Sequence, residues 1–310
     1  MKLLFIIDKY WGGDSAKGPT NVISNLVNSF ISTNYGTHKI YYISSDEGDI
    51  DSTEKVDKVL LTEEYDLAII SPVGTWWSGM FGQGEHITVS LEVAEKLKNK
   101  IAICWWDSVL HYQQSEIEEY AKHCPQLLFD LGYGEDRPNI FGVSTPQDPI
   151  FFNNTHTPKT IPISFIGDPY RSGRQEILSQ IPNVFVKGGR GNDNLSFEDY
   201  ANYFKQSKIN LNFQTNIGIP QRKGRPFEIA ACGGFMLSTN PETFLGKDGS
   251  MFEPQKEFII LDPNNLNSQI DYWLKHDGHR EEIAFNISLK YNKLFAPEPW
   301  WDNIFKICKV

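Results

Sequence analysis

Nine short apolar runs recur along the 310-residue chain, at 2–7, 39–44, 67–71, 100–105, 161–167, 183–187, 208–213, 234–238 and 257–261. Several, such as LLFII after Lys2 and LAII from Leu67, are apolar without interruption. A strand with one wet face alternates apolar and polar residues, whereas an uninterrupted run suits a strand covered by helices on both faces. Helical periodicity lies between the runs. Val22, Ile23, Leu26, Val27, Phe30 and Ile31 form one stripe, with Pro19 suited to the first turn. Ser196 and Asp199 have capping-box spacing ahead of Tyr200, Tyr203 and Phe204. Strand and helix alternate from end to end, which predicts an α/β protein with doubly wound parallel sheets.

The rhythm breaks at residues 144–162, where four prolines fall in a stretch with no period. This reads as an interdomain linker, giving one domain over 1–150 and a second over 151–295. The length suits two such domains, with ligands bound in a cleft at the carboxyl ends of the strands. MKLLFIIDKY is too short an apolar run for a signal-peptide core or a membrane span, so no membrane partner is expected. Cys104, Cys124, Cys232 and Cys308 are scattered without CxxC pairing, as expected of reduced thiols in a cytoplasmic protein.

A net charge of −10 argues against broad electrostatic binding to nucleic acid or anionic lipid. The charge is uneven, however. Residues 46–66 hold nine acids and two lysines, while residues 200–227 hold five basic residues and no acid. A basic island in an acidic protein points to a local anionic ligand, the competing expectation being a solvated face. Within SFIGDPYRSGRQEIL (164–178) a strand ends at Gly167 and a helix follows, with Arg171 and Arg174 placed to grip an anion at the helix start. Two solvated surface arginines are the alternative. QRKGRPFEIAACGGFML (221–237) supplies a second basic helix start, with Arg222, Lys223 and Arg225 before the helix and Glu228 one turn inside. A carboxylate there suits a ribose diol, or else the helix dipole. VKGGRG (186–191) adds a glycine loop with Gly189 and Arg190. On the amino-terminal side, Gly12 and Gly13 permit close backbone approach to a ligand. Trp76 and Trp77 offer a stacking platform for an acceptor, or plain packing. Asp49–Ile50–Asp51 is a DxD match in an acidic stretch and is expected to be a solvated loop, and no metal site is predicted.

SFIGDPYRSGR, GRPFEIAACGGFML and LNSQIDYWLKHDGHREEIA together resemble the carboxyl-terminal domain of GT-B glycosyltransferases, particularly the CgeB/spore-maturation type, over residues 163–293. The resemblance implies a GT-B fold, two Rossmann-like domains facing across a cleft, with a final helix over 296–310 packing back on the first domain. It implies that Glu228 binds ribose and that Arg171 and Arg174 bind diphosphate. Many retaining relatives carry a second glutamate eight residues earlier, where this chain has Pro220, so a retaining mechanism is not implied. KLKNKIAICWWDS and YRSGRQE more loosely resemble phage DNA β-glucosyltransferases, which implies that Asp107 is the base of an inverting enzyme. A helix N-cap is the other reading of Asp107.

The expected function is transfer of a sugar from a nucleoside-diphosphate sugar, UDP-linked, to an acceptor hydroxyl on a glycan, protein or small molecule, with no cofactor. Arginines and helix dipoles would neutralise the leaving diphosphate in place of a metal. Three rivals remain: a DNA glycosyltransferase acting on hydroxymethylated bases, an epimerase or hydrolase on the same fold, and a non-catalytic sugar-nucleotide or glycan binder.

Overall fold

A computed structural model describes residues 1–10, 21–43, 49–74, 86–106, 111–129, 137–170, 173–188, 195–213, 224–239 and 251–310; at 21–23, 73, 74, 86 and 111–113 it describes the backbone alone. The chain divides into two compact units, Met1–Thr145 with Trp300–Val310, and Pro146–Pro299.

The first unit runs β1 (Lys2–Asp8), α1 (Asn21–Thr33), β2 (Thr37–Ile43), α2 (Thr53–Thr62), β3 (Leu67–Ile70), a short antiparallel pair β4 (Val73–Gly74) and β5 (His86–Ile87), α3 (Leu91–Leu97), β6 (Ile101–Trp105), α4 (His111–Ala121), β7 (Gln126–Leu128) and β8 (Ile140–Gly142). Six strands form one parallel sheet in the order β2-β1-β3-β6-β7-β8. Because successive side chains leave a strand on opposite faces, the uninterrupted apolar runs split cleanly between two cores. Leu4 and Ile6, with Ala68, Ile70, Ile101 and Ile103, pack against Val56 and Leu60 of α2, Val93 of α3 and Ile117 of α4. Leu3, Phe5 and Ile7, with Leu67, Ile69 and Cys104, pack against Leu26 and Phe30 of α1. Ile31, the last residue of the α1 stripe, is exposed, because the stripe is wider than the surface the sheet offers it. Pro19 lies outside the described residues.

The second unit runs β9 (Ile161–Ile166), α5 (Arg174–Leu178), β10 (Phe185–Lys187), α6 (Phe197–Gln206), β11 (Ser207–Asn212), α7 (Arg225–Ala231), β12 (Met236–Ser238), β13 (Ile259–Ile260), α8 (Leu266–Lys275) and α9 (Asp277–Leu294). Its strands are parallel in the order β10-β9-β11-β12-β13. Phe165 faces one core with Leu178 of α5 and Trp273 of α8. Ile166 faces the other, with Phe204 of α6, Phe227 and Ala230 of α7, and Ile287 of α9. The hydroxyl of Ser196 caps α6 by accepting from the amide of Asp199 at 3.0 Å, the contact its spacing predicts. Helix α7 ends in a Schellman motif. The Gly233 amide donates to Ala230 O at 3.1 Å and the Gly234 amide to Ile229 O at 2.9 Å, with Gly233 at φ +62°. Gly234 has no room for a side chain, since a Cβ there would lie 2.7 Å from Asn210 Nδ2.

Helix α10 (Pro297–Cys308) buries Trp300, Trp301, Ile304 and Phe305 in the α1 face of the first unit. The Trp301 ring meets Phe30 at 5.2 Å and Phe5 at 6.1 Å, both edge-on, and its Nε1 donates to Ser29 Oγ at 3.0 Å. The proline-rich segment has no helix or strand between Val143 and Thr160, yet its first part is buried, with Gln147 and Asp148 nearly inaccessible. Strands β7 and β8 have no counterpart among the predicted runs. Each has three residues, too few for a period to register, and the pairing of Gln126 with Ile140 comes from their neighbours in the sheet.

Trp301 contributes a large buried ring and a satisfied N–H, so Trp301→Ala should lower the unfolding free energy by about 3–5 kcal/mol. Ile31→Ala, at an exposed position on the adjoining helix, should change it by less than ~0.5 kcal/mol. Urea denaturation of both variants checks the contrast.

Candidate functional site

In the second sheet β9 has β10 on one side and β11 on the other, so the chain reverses direction at β9. Crevices at such switch points, beyond the carboxyl ends of the strands, are where open α/β sheets bind ligands. Here β9 ends and Gly167 follows at φ +146°, its amide donating to Lys187 O of β10 at 2.7 Å. Gly188, at φ +83°, crosses close by, and a Cβ there would come within 3.3 Å of Gly167 N. A Cβ on Gly167 would lie 2.2 Å from Nη2 of Arg225. The glycine therefore lets the guanidinium of α7 rest on the β9 backbone.

Two guanidinium groups share the ring of Phe165, with Arg225 at 5.0 Å and Arg174 at 5.7 Å from its centroid. Arg174 is buried and ties the crevice together. Its Nη1 donates to Asp168 O at 2.9 Å, after β9, and its Nη2 donates to Phe213 O at 3.2 Å, after β11. Arg225 has a buried Nε that finds no acceptor among the described residues. A buried N–H without a partner costs roughly 1–3 kcal/mol.

Glu228, half-buried one turn into α7, accepts a 2.8 Å hydrogen bond on Oε2 from the hydroxyl of Tyr200 in α6. Burial holds its carboxyl above the usual carboxylate range, while the Tyr200 hydrogen bond and the Arg225 charge pull it back down. The Tyr200 phenol is itself pushed up, first by burial and then by the charge of Glu228. No ion pair joins Arg225 to Glu228 among the described residues, and the phenol lies close to both.

At the carboxyl edge of the first sheet, Trp106 follows β6, stacks on Phe129 at 4.1 Å and donates from Nε1 to Ser71 Oγ at 3.0 Å. Asp8 ends β1, and burial pushes its carboxyl up to about 7. The two DxD carboxylates have local partners: Asp49 accepts from the amide of Tyr42 at 3.2 Å, and Asp51 pairs with Lys55 at 2.7 Å ahead of the α2 N-cap Ser52. Among the described residues, no three His, Cys, Asp or Glu side chains gather as a metal site, and no helix is long and apolar enough to cross a membrane.

Of the residues expected from sequence, Gly167, Arg174, Arg225 and Glu228 come together at one edge of one sheet. Gly12, Gly13, Trp76, Trp77, Asp107, Arg171, Gly189, Arg190, Arg222 and Lys223 lie outside the described residues. Phe165, Gly188 and Tyr200 join the cluster without having been singled out. Tyr200 reads in sequence as one apolar position of the α6 stripe, and only its hydroxyl marks it. Asp8, as the first polar residue after an apolar strand, carried a usable signal.

Residues 158–302 match the model of a family described as glycosyl transferase-like. Three solved structures illustrate what the whole chain is similar to. A sucrose-phosphate synthase from Thermosynechococcus elongatus has a TM-score of 0.58 at 12% identity, covering 99% of this chain and 98% of that one. A glycosyltransferase from Rickettsia africae has a TM-score of 0.60 at 12% identity, covering 99% and 97%. HepE from Anabaena, solved in complex with UDP and glucose, has a TM-score of 0.60 at 11% identity, covering 100% and 99%. No curated protein matches in sequence. The fold is that of the GT-B glycosyltransferases, two parallel-sheet Rossmann-like units, as the resemblance implied.

Asp8 makes stability depend on pH. The unfolded carboxyl ionises near 3.8, whereas the folded one keeps its proton to about 7. Its contribution is therefore complete below the lower value and is lost as pH rises through the window between them. Asp8→Asn should raise the unfolding free energy at pH 8 by ~2–4 kcal/mol and leave it unchanged at pH 4. Denaturant titration of both proteins at the two pH values measures the difference.

Proposed function

We propose that this protein is a glycosyltransferase that moves a sugar from a UDP-linked donor to an acceptor hydroxyl, with inversion at the anomeric carbon. The observation that carries the reading is the Arg225–Gly167–Glu228 arrangement at the switch point of β9, inside the region matched by the glycosyl transferase-like family. Arg225 brings its guanidinium charge to the diphosphate, and Gly167 lets that group and the backbone approach together. Arg174 holds the two strand ends in register and adds positive charge, since both its terminal nitrogens already donate to carbonyls. In this reading Arg171, Arg190, Arg222 and Lys223 also bind the diphosphate, and Gly189 serves the same nucleotide sugar. Glu228 accepts the ribose hydroxyls. The UDP and glucose bound in HepE support a UDP-sugar donor.

Asp107 is the base in this reading, as the resemblance to phage DNA β-glucosyltransferases implies, and the resemblance to the CgeB type supports the nucleotide half. The Asp107 carboxylate takes the proton of the acceptor hydroxyl as that oxygen bonds to the anomeric carbon. The bond from that carbon to the diphosphate oxygen breaks, and its electron pair leaves with UDP. The basic side chains stabilise the charge that develops on the leaving group, so the chemistry calls for no cofactor. Gly12, Gly13, Trp76 and Trp77 receive the acceptor. A glycan, protein or small molecule suits the net charge of −10 better than DNA does.

A nucleotide-release assay across UDP-, GDP-, ADP- and dTDP-sugars, with glycan acceptors and hydroxymethylated DNA, tests the reading. UDP release should require an acceptor other than DNA. Loss of the donor in buffer alone would instead indicate a hydrolase or epimerase. Arg225→Ala should weaken UDP binding about 10–100-fold by calorimetry. Asp107→Asn should cut turnover by about 10²–10⁴ with UDP affinity unchanged, and full activity in that variant would remove Asp107 from the mechanism. Gly167→Ala should weaken UDP binding by about tenfold or more, because its Cβ must push the Arg225 guanidinium aside.

A further inference from the structure

We infer that Tyr200 is a positioning residue of the nucleotide site, its hydroxyl holding one carboxylate oxygen of Glu228 so that the other is presented to ribose. The inference rests on Glu228 being the ribose anchor. Tyr200 is held by both backbone and ring. Its amide donates to Ser196 O at 2.9 Å in the first turn of α6, which the Ser196 cap fixes. Its ring meets Phe204 edge-on at 4.9 Å and Phe152 at 6.1 Å. With the ring clamped, the hydroxyl lies 2.8 Å from Glu228 Oε2 and close to Arg225. A carboxylate has about four acceptor directions, so one phenol leaves enough to receive a diol.

The contact also governs whether Glu228 is charged. A protonated carboxyl would give up acceptor capacity, so tight ribose binding requires the ionised form. Burial opposes ionisation, whereas Tyr200 and Arg225 favour it. The thiol of Cys232, which also interacts with this carboxylate, is raised to about 12 by burial and stays neutral. Nucleotide affinity should therefore rise with pH as Glu228 loses its proton, and removing the phenol should move that rise to higher pH. A residue that merely packs would leave the profile in place.

The test compares UDP with 2′-deoxyuridine diphosphate by calorimetry over a range of pH, using the full chain, Tyr200→Phe and Glu228→Gln. Phenylalanine keeps the ring and its aromatic contacts, and circular dichroism reports whether the variant folds. For Tyr200→Phe, UDP affinity should fall about tenfold at neutral pH. Its preference for UDP over the deoxy form should shrink, and the midpoint of its pH profile should rise by about one unit. If Glu228→Gln erases the ribose preference while Tyr200→Phe keeps wild-type affinity, preference and midpoint, the role given to Tyr200 is overturned and the ribose assignment stands. If Glu228→Gln leaves the preference intact, the ribose assignment falls and the role of Tyr200 falls with it. Should Tyr200→Phe not fold, 3-fluorotyrosine at the tyrosine positions supplies the second readout. The more acidic phenol donates more strongly and should lower the midpoint, and an unmoved midpoint would overturn the inference.

Discussion

Both main sheets are parallel throughout, and everything else in the molecule follows from that constraint. A parallel pair cannot close with a hairpin, so each strand returns through a crossover that covers one face of the sheet. The inner strands are then buried on both sides and are mostly apolar, whereas the edge strands β2 and β10 stay partly exposed. Every connection that follows a strand also starts at the same edge. The second unit gathers Gly167, Gly188, Phe213 and the start of α7 at that edge because each follows a strand or opens the helix after one. Chemistry collects there by geometry, before any side chain is chosen.

At the β9 switch point, charge is organised around a neutral centre. Arg225 and Arg174 both lie against Phe165, which is less costly than stacking two cations in a wholly apolar pocket, because the ring face is electron-rich. Arg174 uses backbone carbonyls as partners, which ties the ends of two adjacent strands to one rigid group. The Nε of Arg225 is buried with no acceptor among the described residues. The phenol of Tyr200 lets a carboxylate and a guanidinium occupy the same short helix without neutralising each other through a direct ion pair. In the GT-B reading, one of these charges meets diphosphate and the other meets ribose.

Much of this was legible in the sequence. Gly167 stood out as a glycine closing an apolar strand, and Arg225 and Glu228 as a cation and an acid opening a helix that is otherwise apolar. Ser196 announced its cap by spacing alone. The signals that failed were of two kinds. Strands β7 and β8 are too short to show a period and form because the sheet already offers an edge. Ile31 follows a helical stripe correctly but finds no partner, since periodicity says which face is apolar and not how much of it will be covered.

The sequence by itself determined the alternation of strands and helices, the burial of the inner strands on both faces, and the kinds of side chain delivered to the carboxyl edge. These depend on local periodicity and chain connectivity, both of which are written along the chain. The tertiary structure alone decided who meets whom. Tyr200 reaches Glu228 across 28 positions because α6 and α7 lie against the same face of the sheet. Arg225 rests on Gly167 because α7 starts beside the end of β9. Such pairings depend on strand order within the sheet, and no local pattern encodes which strand will be the neighbour.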